Sequence, residues 1–215
     1  MKILTKTGGM AQTNCFLVAD EQASQAVLFD APDHTTAPLL NEAEKRSWEI
    51  IGLWLTHGHW DHIADHALVT QRFPKARVLI HPLDEPKLRN PASMMFMLPF
   101  TIPGRSADAY VNDGDKLKLG SLDVEVIHTP GHAPGHVMYY FPQQKILIGG
   151  DLIIAGTIGR CDFPDCSYDD LCKSIRRVMQ LPPETQLFGG HGPPTTLKHE
   201  SKHNFGVREA ISDGI

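Results

Sequence analysis

The chain has 215 residues, 41% hydrophobic and 21% charged, an ordinary globular balance that excludes disorder as the main state. Its net charge of −5, with His neutral, gives no reason to expect a surface that tracks nucleic-acid phosphates. No apolar run approaches the roughly 20 residues of a membrane helix, and Lys2-Ile3-Leu4 before Thr5 is no signal-peptide core, so the expected setting is the cytoplasm with no membrane partner.

Residues 2–6, 14–19 and 26–30 read as strands separated by turn-forming residues. A helix is expected over 38–47, with Thr36 as its cap and Pro38 in its first turn. Residues 49–56 form an apolar strand that runs straight into a His-rich loop. Ile63, Ala64, Ala67 and Leu68 then give helix spacing over 63–73, and 77–81 is a short strand.

The stretch 90–110 carries Pro91, Pro99 and Pro103 and the run Met94-Met95-Phe96-Met97-Leu98 without a clear period. It reads as a binding loop or lid, or else as an irregular core segment or dimer contact. Further strands are expected at 116–119, 122–128, 137–141 and 145–149. Tyr168, Leu171, Cys172, Ile175, Val178 and Met179 follow helical spacing behind Ser167, a good N-cap. A last strand covers 186–189, and the tail from about 199 to 211 reads as helical. With no repeat or linker, this is a mixed α/β chain expected to form one domain over 1–215. Cys15, Cys161, Cys166 and Cys172 form no CxxC pair and read as reduced, mostly buried thiols.

The chemistry concentrates in Thr56-His57-Gly58-His59-Trp60-Asp61-His62. A strand end is rigid, and the loop after it can turn several side chains toward one point. His57 and His59, two apart, can project together, with Asp61 and His62 beyond them. Imidazole and carboxylate are the ligands expected for zinc, iron or manganese, and this density after an apolar strand favours a metal site over a solvated His-rich loop.

Four more segments stand in order along the chain: Asp30 after Val27-Leu28-Phe29; Thr129-Pro130-Gly131-His132-Ala133-Pro134-Gly135-His136; Gly149-Gly150-Asp151; and Gly190-His191-Gly192. Together with the His-rich loop they resemble the metallo-β-lactamase superfamily over nearly the whole chain. The resemblance implies a four-layer αββα sandwich with a two-metal site at one edge. By motif position His57, His59 and His132 would bind one divalent ion, Asp61, His62 and His191 the other, and Asp151 would bridge them. The expected ions are zinc, with iron or manganese as alternatives. Two dications, two Asp carboxylates and a bridging hydroxide leave about one positive charge, which would attract an anionic substrate to an acidic protein.

Asp151 in place of a Cys ligand, and Ile158-Gly159-Arg160-Cys161-Asp162-Phe163, resemble the glyoxalase II (hydroxyacylglutathione hydrolase) branch. That likeness implies hydrolysis of a small-molecule thioester such as S-D-lactoylglutathione by a metal-bridging hydroxide, held by Asp61 and Asp151. Arg160 falls where the branch carries a basic residue for the glutathione carboxylate; its other reading is an ion pair with Asp162. The longer branch members carry a C-terminal helical domain for glutathione that is expected to be absent here, and Pro193 stands where they often have Tyr. Short single-domain relatives, with a His-Gly-Pro-x-Thr-Thr segment like that from His191 to Thr196, match better.

The rival reading is an iron-dependent glutathione persulfide dioxygenase, with one iron on the equivalents of His57, His132 and Asp151; His136 stands where those enzymes commonly carry Cys. A lactonase or β-lactamase-like hydrolase is a further alternative. Asp30 reads either as an acceptor that orients an imidazole or as a turn residue before Pro32. His136 is expected to be a packed, hydrogen-bonded neighbour and His66 to face solvent, while His34, His81, His128, His199 and His203 lack ligand-like context.

Overall fold

A computed structural model gives the architecture of residues 1–94 and 97–212. The first sheet follows chain order: β1 (Lys2–Gly8), β2 (Thr13–Asp20), β3 (Gln25–Phe29), β4 (Glu49–Trp54), β5 (Arg77–Ile80) and β6 (Ala109–Tyr110). β1, β2 and β3 pair antiparallel, and β3 to β6 run parallel. The second half contributes β7 (Lys116–Leu119), β8 (Leu122–His128), β9 (Val137–Phe141), β10 (Ile146–Gly150), the small hairpin β11 (Ile153–Ile154) and β12 (Thr157–Ile158), then β13 (Gln186–Gly189) and β14 (Thr195–Thr196). Its main sheet has the order β14-β13-β10-β9-β8-β7, with β10 and β13 parallel. The helices are α1 (Thr36–Lys45), α2 (Trp60–Ile63), α3 (His66–Arg72), α4 (Glu85–Arg89), α5 (Tyr168–Val178), α6 (Leu197–His203) and α7 (Phe205–Ser212).

Strand alternation explains why the sheets stack. In β2, Phe16 and Val18 join Phe29 and Trp54 against Val124, Val126, Tyr139 and Phe141 of the second sheet. The alternate residues Cys15, Leu17 and Ala19 face outward to Leu40 and Ala43 of α1 and Val69 of α3. In β9, Tyr139 and Phe141 face the first sheet, while Met138 and Tyr140 meet Leu171 and Ile175 of α5 and Val207 of α7. Three apolar layers thus separate helices, sheet, sheet and helices, the αββα sandwich. No helix among the described residues is long and apolar enough to cross a membrane.

Several local expectations are corrected. The helix expected over 63–73 is two pieces, because Ala31 N donates to His62 O and Asp65 N to Ala31 O (2.7 Å each), docking the chain on residue 31 instead of continuing the helix. His66 is buried rather than solvent-facing, with Nδ1 on Ile63 O at 2.7 Å. Thr36 is the first residue of α1 rather than its cap; the N-cap Thr35 makes no capping bond, and both hydroxyls point to Pro32 O. Ser167 does cap α5, accepting from Asp170 N. The helical tail is broken at Asn204 into α6 and α7. Residues Met95 and Phe96 of the Met-rich run lie outside the described residues. Around them, Met94, Leu98, Phe100 and Ile102 pack against the outer core beside α1 and α3, so this part of the segment covers the first helical layer. Cys15 and Cys172 are buried, and Cys161 and Cys166 are half-buried free thiols.

Candidate metal centre

Parallel strands deliver side chains to one edge of the sandwich, since β3, β4, β10 and β13 all end there. Asp30 follows β3, the loop from His57 to His62 follows β4, Asp151 follows β10 and His191 follows β13, while His132 sits on the β8–β9 connection. The structure brings all seven expected ligand side chains together. His57 Nε2 is 3.1 Å from His59 Nδ1, which is 2.9 Å from His132 Nε2. Beside this trio, His62 Nε2 faces Asp61 Oδ2 and Asp151 Oδ1, each at 3.5 Å. His191 Nε2 lies 3.2 Å from Asp151 Oδ2 and 3.5 Å from Asp61 Oδ2. Asp151 Oδ2 is also 3.5 Å from His132 Nε2, so this carboxylate spans both groups.

Their far sides are tied down, and the ties fix the tautomers. Asp30 accepts from Thr56 N (2.8 Å), Thr56 Oγ1 (2.9 Å) and His62 Nδ1 (2.8 Å). Thr56 Oγ1 in turn contacts His57 Nδ1 at 3.0 Å, so one carboxylate orients His62 directly and His57 through a hydroxyl. His132 Nδ1 donates to Arg160 O at 2.7 Å. For His57 and His132 the proton sits away from the cluster and the Nε2 lone pair faces inward, and His62 likewise turns its Nε2 into the cluster. His136 accepts at Nε2 from Asp151 N (2.9 Å) and meets Thr129 Oγ1 with Nδ1 (2.8 Å), which makes it a buried support for the Asp151 backbone.

Electrostatics divides the cluster. Burial, reinforced by His62, His59 and His132, holds His57 well below the usual imidazole range. Burial and His132 bring His59 down to about 2. On the other side burial opposes charge on His62 and Asp151, but the mutual attraction of imidazole and carboxylates outweighs it, raising His62 and lowering Asp151. Neutral lone pairs packed beside fixed carboxylates suit a bound cation. The fit to metal is further supported by two buried polar atoms that find no hydrogen-bond partner, His62 Nε2 and Asp151 Oδ1, both turned into the cluster. Among the described residues, three groups of potential ligand atoms are close enough for one ion each: His57, His59 and His132; His57, His62 and Asp151; and Asp61, His62 and His191. All donors are N or O.

The cluster floors a pocket of about 430 Å³, walled by Ala11, Trp60, Ile154, Ile158 and Phe163. Arg160 also lines it, but its guanidinium is engaged by Asp162 through two bonds (3.0 and 2.7 Å) and lies 4.9 Å over the Phe163 ring. Two contributors escaped the sequence reading. Thr13 Oγ1 donates to Asp61 Oδ2 at 2.7 Å. Asp84, fully buried, accepts from Gly58 N and Gly135 N at 2.7 Å each, stapling the two His-bearing loops together. The one sequence signal for Asp84, an acidic residue just before Glu85-Pro86, reads as a helix cap, yet its side chain makes no capping bond.

Residues 8–191 match the metallo-beta-lactamase superfamily. The chain is 32% identical over 203 residues to the hydroxyacylglutathione hydrolase GloC of Haemophilus influenzae, covering 90% of this chain and 92% of that protein. Among solved structures it is similar to the BLEG-1 B3 metallo-beta-lactamase (TM-score 0.88, 30% identity, 96% of this chain and 99% of that one). It is likewise similar to TTHA1623 in a di-iron-bound form (TM-score 0.82, 32% identity, 94% and 98%).

Proposed function

The chain belongs to the metallo-β-lactamase superfamily of metallo-hydrolases, and from that premise we propose that it is a two-metal thioester hydrolase acting on small S-acyl thiols, S-D-lactoylglutathione among them. The observation that carries the reading is the convergence of seven N and O side chains, in three overlapping groups of potential ligand atoms among the described residues, at the floor of an apolar-walled pocket. His57, His59 and His132 would hold one ion and Asp61, His62 and His191 the other, with Asp151 between them. Divalent ions bound there would supply Lewis acidity and bring a water's pKa from 15.7 toward about 7.

The chain's own groups do the rest. Asp61, fixed through Thr13, and Asp151, fixed at its backbone by His136, orient the attacking water by accepting its hydrogen bonds. Trp60, Ile154, Ile158 and Phe163 exclude bulk water around the acyl group. A thiolate leaving group, with a thiol pKa near about 8.5, departs without a dedicated general acid, which agrees with the absence of a further acidic side chain among the described pocket residues.

The test is metal analysis joined to a substrate panel. Protein with two ions per chain that hydrolyses S-D-lactoylglutathione or another thioester supports the reading. One iron per chain with oxygen uptake on glutathione persulfide overturns it in favour of a dioxygenase, and turnover confined to lactones or β-lactams overturns the thioester assignment.

A further inference from the structure

The segment between β12 and α5 forms one wall of the pocket through Arg160 and Phe163, and it carries two of the four thiols. Phe163 packs edge-on against His59 (5.1 Å between centroids) and His132 (6.0 Å) and supports the Arg160 guanidinium. Gly131 O draws the two ends of the segment together, accepting from Ser167 N at 2.8 Å and Cys161 Sγ at 3.5 Å, while Cys166 N closes a turn on Phe163 O at 3.2 Å. Gly131 O thus holds the Cys161 sulfur and the backbone next to Cys166 on one acceptor, and each thiol lies in the electrostatic reach of the other. Both are half-buried, whereas Cys15 and Cys172 are buried in the cores. Neither thiol belongs to a potential metal-ligand group among the described residues.

We propose that Cys161 and Cys166 are a modification site, a thiol pair that a small-molecule disulfide converts reversibly to an intramolecular disulfide, and that this bridge reshapes the pocket wall. The oxidant is the disulfide of the thiol class that thioester hydrolysis releases, a choice that rests on the proposed function; formation of the bridge itself does not. Cys166 attacks one sulfur of the oxidant R–S–S–R, whose S–S bond breaks and releases one thiolate. Cys161 then attacks the Cys166 sulfur of the mixed disulfide and releases the second thiolate. Two protein S–H groups become one S–S bond, two electrons pass to the oxidant, and the two protons end on two R–SH molecules. Burial and the neighbouring Cys166 push the Cys161 thiol up to about 12, so it rests protonated and Cys166 makes the first attack. Capping Cys166 in the mixed disulfide relieves part of that restraint on Cys161.

A disulfide of about 2.05 Å is far shorter than a thiol hydrogen bond. Cys161 therefore leaves Gly131 O, the four residues from Asp162 to Asp165 tighten into a closed loop, and Phe163 shifts against His59 and His132.

The experiment treats the full-length, metal-loaded protein with glutathione disulfide, followed by intact mass, peptide mapping, hydrogen exchange and thioester kinetics. The expected result is a loss of roughly 2 Da, a bridge mapped to Cys161 and Cys166, and slower exchange over residues 159–167. The KM for the thioester is expected to change about threefold or more and to return with dithiothreitol; Cys166→Ser is expected to be insensitive to oxidant, and Cys161→Ser to stop at a mixed disulfide on Cys166. A bridge to Cys172, a mixed disulfide that never closes, or unchanged mass overturns the site. A correct bridge with unchanged exchange and KM overturns its effect on the pocket. If no thioester is turned over, the hydrolase reading fails, while mass, mapping and exchange still decide the thiol pair.

Discussion

Asp30 adopts a left-handed backbone (φ 57°) just past β3, and from there one carboxylate serves both groups of candidate ligands. Asp30→Asn keeps the shape but exchanges one acceptor oxygen for a donor NH2, which then faces either Thr56 N at the Oδ1 position or Thr56 Oγ1 and His62 Nδ1 at the Oδ2 position. The expected outcome is zinc affinity weakened by about 10–100-fold and stability lower by about 1–3 kcal/mol, read by chelator competition and urea unfolding. Unchanged zinc affinity would remove Asp30 from the site. Asp20, far from the metal centre, offers a pH test. Hydrogen bonds from Ser121 N and Oγ lower it from 3.8 to about 2. Because the folded pKa lies below the unfolded one, its contribution is complete above about pH 4 and fades as pH falls toward 2. The stability gap between wild type and Asp20→Asn should therefore shrink over that window; a gap that widens on acidification would contradict the assignment. At this scale the seven clustered side chains were legible because they sit in short motifs with characteristic spacing. Thr13 and Asp84 were not, since a Thr 48 positions from its Asp partner and an Asp 26 and 51 positions from its glycines leave no local pattern.

Elements were legible where one periodicity ruled and illegible where a loop contact overrode it. β8 and α5 follow their patterns closely, because alternation or helical spacing coincides with burial on one face, while β9, buried on both faces, stands out as a continuous apolar and aromatic run. The break between α2 and α3 has no composition signal; it exists because Ala31 captures the chain at His62 and Asp65. The same logic governs the Asp84 staple. A Cβ at Gly58 would lie 2.8 Å from Asp84 O, and one at Gly135 2.7 Å from Asp84 N, backbone atoms that cannot swing aside. Gly58→Ala should therefore push the loop bearing His57 and His59 away from the one bearing His132. The expected cost is about 1–3 kcal/mol of stability together with weaker zinc binding, checked by thermal unfolding with and without chelator. Equal melting of variant and wild type in both conditions would show that the staple does not set the spacing.

For the whole molecule, periodicity alone gave only a mixed α/β chain; which six strands share a sheet is set by long-range pairing such as β10 with β13 and by the apolar layer between the sheets, neither of which has a local signature. The ordered family motifs supplied the layered architecture. That architecture accounts for the site: four parallel strand ends at one edge bring together residues as distant in the chain as Asp30 and His191. The most direct measurement is diffraction from zinc-loaded crystals at the zinc absorption edge. The account predicts two anomalous peaks about 3.5–4 Å apart, one among His57, His59 and His132 and the other among Asp61, His62 and His191, with Asp151 reaching both. A single peak, or peaks away from these side chains, would contradict it.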